Sequence, residues 1–189
     1  MKLRVPGLAV LAAFAFAALN GCGYSTQSSL DPKYQTVFVS AFENRTRQYD
    51  LQAPLTNAVI RKFMADGRLR VVENRNADLI LEGVILDYKL KGLTFDQDDN
   101  VTQYLCVVMA GARLTDAKDG TVVWQDPSLA GETSFYTRAS GQSSDRLRGN
   151  AEVFLSTVRS FATEEENRGV SEALEQLASD IFYRTIEAW

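Results

Sequence analysis

Two pairs of basic residues could meet an anionic ligand: Arg68 with Arg70, and Lys89 with Lys91. Side chains two apart on a β-strand leave the same face, so each pair would present two cations side by side. Guanidinium and ammonium groups held that way can grip the phosphates of a lipid headgroup, and the same spacing also suits a solvated strand face. Acidic residues gather at Asp96-Gln97-Asp98-Asp99-Asn100 and at Glu164-Glu165-Glu166. The first begins like a calcium loop, but the positions that need glycine and glutamate hold Val101 and Val107, so it reads as a hairpin turn. The second follows Thr163, and Thr163 and Glu166 have the spacing of a helix capping box. Histidine is absent, which removes serine–histidine and cysteine–histidine catalysis and histidine-bound metals. There is no glycine-rich phosphate loop and no Gly-x-Ser-x-Gly elbow. No catalytic residue, metal ligand or cofactor site emerges, so the reading is of a non-enzymatic protein that works through its surfaces.

The first 22 residues carry a different chemistry. Lys2 and Arg4 precede Val5 to Leu19, an uncharged apolar run shorter than the ~20 residues a membrane-spanning helix needs. Leu19-Asn20-Gly21-Cys22 then resembles the bacterial lipoprotein processing site, at which the thiol is acylated and the chain is cut before it. Residues 1–21 are therefore expected to be a lipoprotein signal peptide, and Cys22 the lipid anchor. Acyl chains contribute ~0.8 kcal/mol per buried methylene, so two or three hold a soluble domain on a membrane. Gly23 rather than aspartate after the cysteine points, by analogy with enteric lipoproteins, to the outer membrane. Cys106 would then have no partner within the chain, and its setting, Tyr104-Leu105-Cys106-Val107-Val108, is that of a buried strand.

The remaining elements must form the body. The chain has 189 residues, 46% hydrophobic and 23% charged, which suits one globular domain. Cleavage would remove Lys2 and Arg4 and leave 18 basic against 24 acidic residues, a poor balance for binding nucleic acid. Residues 22–35 are small and polar and read as a tether, with a single domain over 36–189. Thr36 to Phe42 reads as a strand, Pro54 to Asp66-Gly67 as a helix with Leu55, Ala58, Val59 and Phe63 on one side, and Leu69 to Glu73 as a short strand. Ala77 to Lys91 and Thr102 to Thr115 read as long strands joined by the acidic turn. Asp119-Gly120 signals a tight hairpin, followed by strand segments 121–125 and 131–136 on either side of Pro127. Residues 140–148 read as a loop and 151–162 as apolar at helical spacing. The last helix carries an apolar stripe through Val170, Leu174, Leu177 and Ile181. This order gives an α+β domain with helices on one face of a mixed sheet.

Several segments resemble a known family when taken in order. They are Gly21-Cys22-Gly23-Tyr24-Ser25, Val37 to Thr46, Leu55-Thr56-Asn57-Ala58, Ala77 to Ile85, Leu114-Thr115-Asp116 before Gly120 to Trp124, and Leu177 to Ile181. Together they are similar to the lipopolysaccharide-assembly lipoproteins, the LptE family, although 140–169 is longer and more helical than that pattern. The resemblance implies a four-stranded sheet with two helices, seated inside the outer-membrane β-barrel LptD. There it would plug the lumen, assist barrel assembly and help deliver lipopolysaccharide to the outer leaflet. It would lie on the periplasmic side of the outer membrane, held by its lipid, and lipopolysaccharide contact would fall to Arg68, Arg70, Lys89 and Lys91. The first half is also similar to lipoproteins that activate peptidoglycan synthases or form curli-type secretion pores, and the 116–124 hairpin favours the assembly family.

Overall fold

A computed structural model describes residues 30–97, 99–136 and 164–187. The signal peptide, Cys22, the 140–148 loop, the 151–162 segment and Thr163 of the expected capping box lie outside the described residues. In chain order the elements are β1 (Thr36–Val39), β2 (Glu43–Asn44), α1 (Gln52–Asp66), β3 (Arg70–Val71), β4 (Leu79–Phe95), β5 (Val101–Asp116), β6 (Val122–Tyr136) and α2 (Glu164–Ile186). The sheet is mixed and runs β3-β1-β4-β5-β6, with β2 also paired to β4. The α+β class and two helices are as expected, but the sheet has six strands rather than four. The extra strands are short parallel additions: β3 beside β1, and β2 beside β4.

β2 exists because the expected strand 36–42 ends early. Val39 pairs with Leu81, and pairing resumes at Glu43 with Val84, so three residues of one chain oppose two of the other. The extra length turns Phe42 inward, where its ring fills the space a side chain at position 83 would occupy: a Cβ on Gly83 would lie 2.1 Å from the ring. β6 departs from expectation in the other direction, continuing through Pro127 rather than breaking there. Ala110 pairs with Leu129 and Ala112 with Asp126, so Pro127 and Ser128 together oppose Gly111 in a bulge on an edge strand. A bulge on an edge strand is where a residue lacking an amide proton can be accommodated.

The core lies between the sheet and both helices. Leu79, Leu81 and Ile85 of β4 and Val108, Ala110 and Leu114 of β5 alternate onto the covered face and are buried. Leu55, Ala58, Val59 and Phe63 meet them from α1, as the helical spacing predicts, and Gly67 closes that helix in the left-handed conformation with φ of 77°. Leu174, Leu177 and Ile181 of α2 are also buried.

α2 runs antiparallel to β6 and locks to it along its length. Near the start, Tyr88 Oη donates to the buried Glu166 carboxylate at 2.7 Å. Glu166, expected to act locally in a capping box, therefore ties α2 to β4. Midway, the Glu132 amide donates to Gln176 Oε1 at 3.2 Å and Thr133 Oγ1 to Glu172 at 3.1 Å. Arg184 pairs with Asp126 at 2.8 Å near the end. Between these anchors, Gly131 lies directly under the Ala173 carbonyl.

Residues 30–35, expected to belong to the 22–35 tether, are part of the fold. Leu30 is buried, and Tyr34 Oη donates to Asp116 at 2.9 Å. Asp78 Oδ2 accepts from the Gln35 and Thr36 amides and from Thr36 Oγ1 at 3.1, 3.1 and 2.8 Å. The Thr36 hydroxyl, then the Gln35 amide and the Thr36 amide, hold the Asp78 carboxyl below its ordinary range, with Lys118 adding to the effect. The chain from residue 30 onward is thus part of the folded body.

Candidate functional site

Among the described residues no helix covers the second face of the sheet, and that uncovered face and the far end of the β4–β5 hairpin carry the exposed chemistry. The two basic pairs do not come together. Arg70 pairs with Thr36 beside the start of β4, whereas Lys89 lies eleven residues beyond Asp78 along that strand, roughly 35 Å away at ~3.3 Å per residue. Arg68 is not on a strand. It follows the α1 terminus, where its side chain folds back on Asp66 with three N–H···O contacts of 2.7 to 3.0 Å. That hydrogen bonding holds Asp66 below its ordinary carboxyl range and raises Arg68. A same-face Arg68/Arg70 strand pair is therefore not formed, because the helix-ending turn captures Arg68 before the strand begins.

Lys89 and Lys91 do share a strand face. They lie opposite Val107 and Leu105 of β5, on the side away from the buried Cys106 and Val108. Lys89 pairs with Asp87 at 2.5 Å, and Lys91 is exposed. The spacing is right, but half of the charge is already met within the strand. Apolar groups crowd the same end: Leu93, Phe95 and Tyr136 are exposed large hydrophobics near the hairpin tip. The tip itself is a turn, with the Asn100 amide donating to Asp96 Oδ1 at 2.9 Å and Asp99 at positive φ of 60°. Among the described residues no group of His, Cys, Asp or Glu converges as a metal site would require.

Sequence reading missed a groove of about 420 Å³ on the uncovered face, between β2 and β6. Glu82 lies at its centre. Arg75 meets one carboxylate oxygen at 3.4 Å and Arg113 the other at 3.2 Å. Arg45 stands across the groove, paired with Glu43 at 3.0 Å. The Glu82–Arg113 register was the available signal, since the two long strands were legible, but Arg75 reaches Glu82 from a loop whose path was not. Among the described residues no helix is long and apolar enough to cross a membrane.

The sequence model described as LptE, lipopolysaccharide-assembly, matches residues 34–185, most of the chain. The chain belongs to the LptE lipopolysaccharide-assembly family. This assigns it, at the family level, to non-enzymatic lipopolysaccharide-assembly lipoproteins. No curated protein matches the sequence. Among solved structures, the chain is similar to the PelC dodecamer from Paraburkholderia phytofirmans, at 18% identity and TM-score 0.47, covering 86% of this chain and 96% of that one. It is similar to a minor lipoprotein from Acinetobacter baumannii at 13% identity and TM-score 0.46, covering 82% and 92%. Protein XCC0632 from Xanthomonas campestris gives 12% identity and TM-score 0.49, covering 86% and 92%.

Proposed function

We propose that this LptE-family chain is an outer-membrane lipoprotein, anchored through Cys22 on the periplasmic side, that plugs and helps assemble the LptD barrel and assists lipopolysaccharide delivery to the outer leaflet. The observation that carries the reading is the family match over residues 34–185. The processing-site pattern Leu19-Asn20-Gly21-Cys22 supports the anchor. The fold supports action through surfaces: a sheet covered on one side leaves its other face and a long hairpin for a larger partner. For direct contact with lipopolysaccharide, Lys89 and Lys91 are the candidates retained from the sequence, with Arg70 apart from them and Arg68 committed to Asp66. Depletion in the native cell tests the role: assembled LptD and surface lipopolysaccharide both fall. Normal levels of both after complete depletion would contradict it and favour a peptidoglycan-synthase cofactor instead.

A further inference from the structure

We propose that the groove on the uncovered sheet face is an anion site, built to receive a phosphate or carboxylate group, independent of the lysine pair and of the lipopolysaccharide-assembly role. Position supports this first. Leu81 and Leu114 are buried on the helix-covered face, so their strand neighbours Glu82 and Arg113 project from the opposite, open face. Arg75 is steered there as well, since its guanidinium carbon lies 6.0 Å from the Phe38 ring centre, a cation–π distance.

Charge is the second support. Arg45, Arg75 and Arg113 face Glu43 and Glu82, while the remaining carboxylate at the rim, Asp126, is engaged by Arg184. The groove therefore keeps one net positive charge within a chain of net charge −4. Each guanidinium has five N–H donors, and the hydrogen bonds to Glu43 and Glu82 use one or two of them. Glu82 acts as a resident anion: it holds Arg75 and Arg113 in convergence, one on each oxygen, as a bound phosphate would.

The third support comes from neutral groups. Ser40 lines the groove, and its Oγ is buried just beneath the surface without a hydrogen-bond partner. A buried hydroxyl left unpaired is uncommon, and a rotation of the Ser40 side chain towards the groove would let an anion oxygen accept its proton. Val84 and Pro127 give the floor an apolar surface, against which the body of a ligand could lie while its charged group meets the arginines. The shared chemistry is an oxyanion, free or carried on a sugar headgroup.

The test is an NMR titration of the isotopically labelled full chain in non-ionic detergent, with inorganic phosphate, glucose 1-phosphate and glucose as probes. The proposal expects saturable shifts at the Ser40, Gly83 and Gly111 amides with both phosphates and none with glucose. Equal affinity for the two phosphates assigns a free anion; affinity tenfold higher for glucose 1-phosphate assigns a phosphorylated headgroup. Arg75→Gln with Arg113→Gln should weaken binding at least tenfold, and Glu82→Gln should tighten it severalfold by removing the competing carboxylate. Lys89→Gln with Lys91→Gln should leave it unchanged. An absence of saturable shifts, or an affinity unchanged by loss of both arginines, would overturn the anion site and leave the family assignment standing.

Discussion

Replacing Gly131 by alanine tests how α2 is fixed to the sheet. An ideal Cβ at that position would lie 2.1 Å from the Ala173 carbonyl oxygen and 3.0 Å from Leu177 Cβ. Carbon–carbonyl oxygen contacts have a normal closest approach of ~3.3 Å, so helix and strand must separate by about 1 Å. The obstacle is backbone, so no side-chain rotation relieves it. Overpacking ordinarily costs ~1–3 kcal/mol. A gap of this size also forfeits a quarter to a half of the dispersion energy of the atoms it parts, here around the buried Ala173, Leu174 and Leu177. The Glu132–Gln176 and Thr133–Glu172 hydrogen bonds would stretch with it. Gly131→Ala should therefore destabilise by about 3 kcal/mol. Gly111→Ala is the control: its Cβ would meet Pro127 at 3.5 Å, an ordinary contact, so the change should stay within about 0.5 kcal/mol or stabilise slightly. Urea unfolding followed by circular dichroism measures both. A loss below about 1 kcal/mol for Gly131→Ala, or equal losses for the two variants, would refute the close contact.

Leu177 is fully buried, so Leu177→Ala should cost ~2–5 kcal/mol in the same assay; a loss below about 0.5 kcal/mol would mean that the stripe does not pack as core. Asp78 has a folded pKa depressed below 3.8, so its contribution is full above that value and is lost as pH falls through the lower folded pKa. The urea-midpoint gap between wild type and Asp78→Ala should thus be wide at pH 6 and narrow near pH 2, and a gap unchanged with pH would contradict the role given to its charge. Mass analysis should find acyl chains on the wild type and none on Cys22→Ser; acyl mass on the variant, or none on the wild type, would remove the anchor. Reversing Lys89 and Lys91 to glutamate should weaken lipopolysaccharide binding by the purified chain about tenfold, with strong salt dependence, and unchanged binding would make them a solvated strand face.

Elements that announce themselves through periodicity were legible in the sequence. Leu55, Ala58, Val59 and Phe63 mark α1, Leu174, Leu177 and Ile181 mark α2, and the acidic turn between two apolar runs marks the long hairpin. Asp119-Gly120 gave the next turn, with Gly120 at positive φ of 73°. What was not legible depends on partners far away in the chain. β2 has two residues, too few for any period, and exists only because β4 offers it an edge, whereas the strand expected over Leu69 to Glu73 is present but shortened to Arg70–Val71 beside β1. Pro127 looks like a strand breaker until Gly111 is placed opposite its bulge. Glu166 fits a local cap in sequence, yet its carboxylate meets Tyr88, 78 positions away. The candidate site divides similarly: Lys89 and Lys91 share a face as their spacing implies, whereas the Arg68 side chain is taken by Asp66 two residues earlier. The groove joins Arg75, Glu82 and Arg113 from a loop and two strands, a meeting that only tertiary structure reveals.

Co-purification from native outer membrane tests whether the chain works, as proposed, as a stoichiometric partner of an outer-membrane barrel. The full chain, carrying a C-terminal affinity tag and extracted in mild detergent, should bring down one large β-barrel protein, identified by mass spectrometry as LptD, in a one-to-one ratio. Recovery of a peptidoglycan synthase in stoichiometric amount, or of the chain without any barrel, would contradict the account.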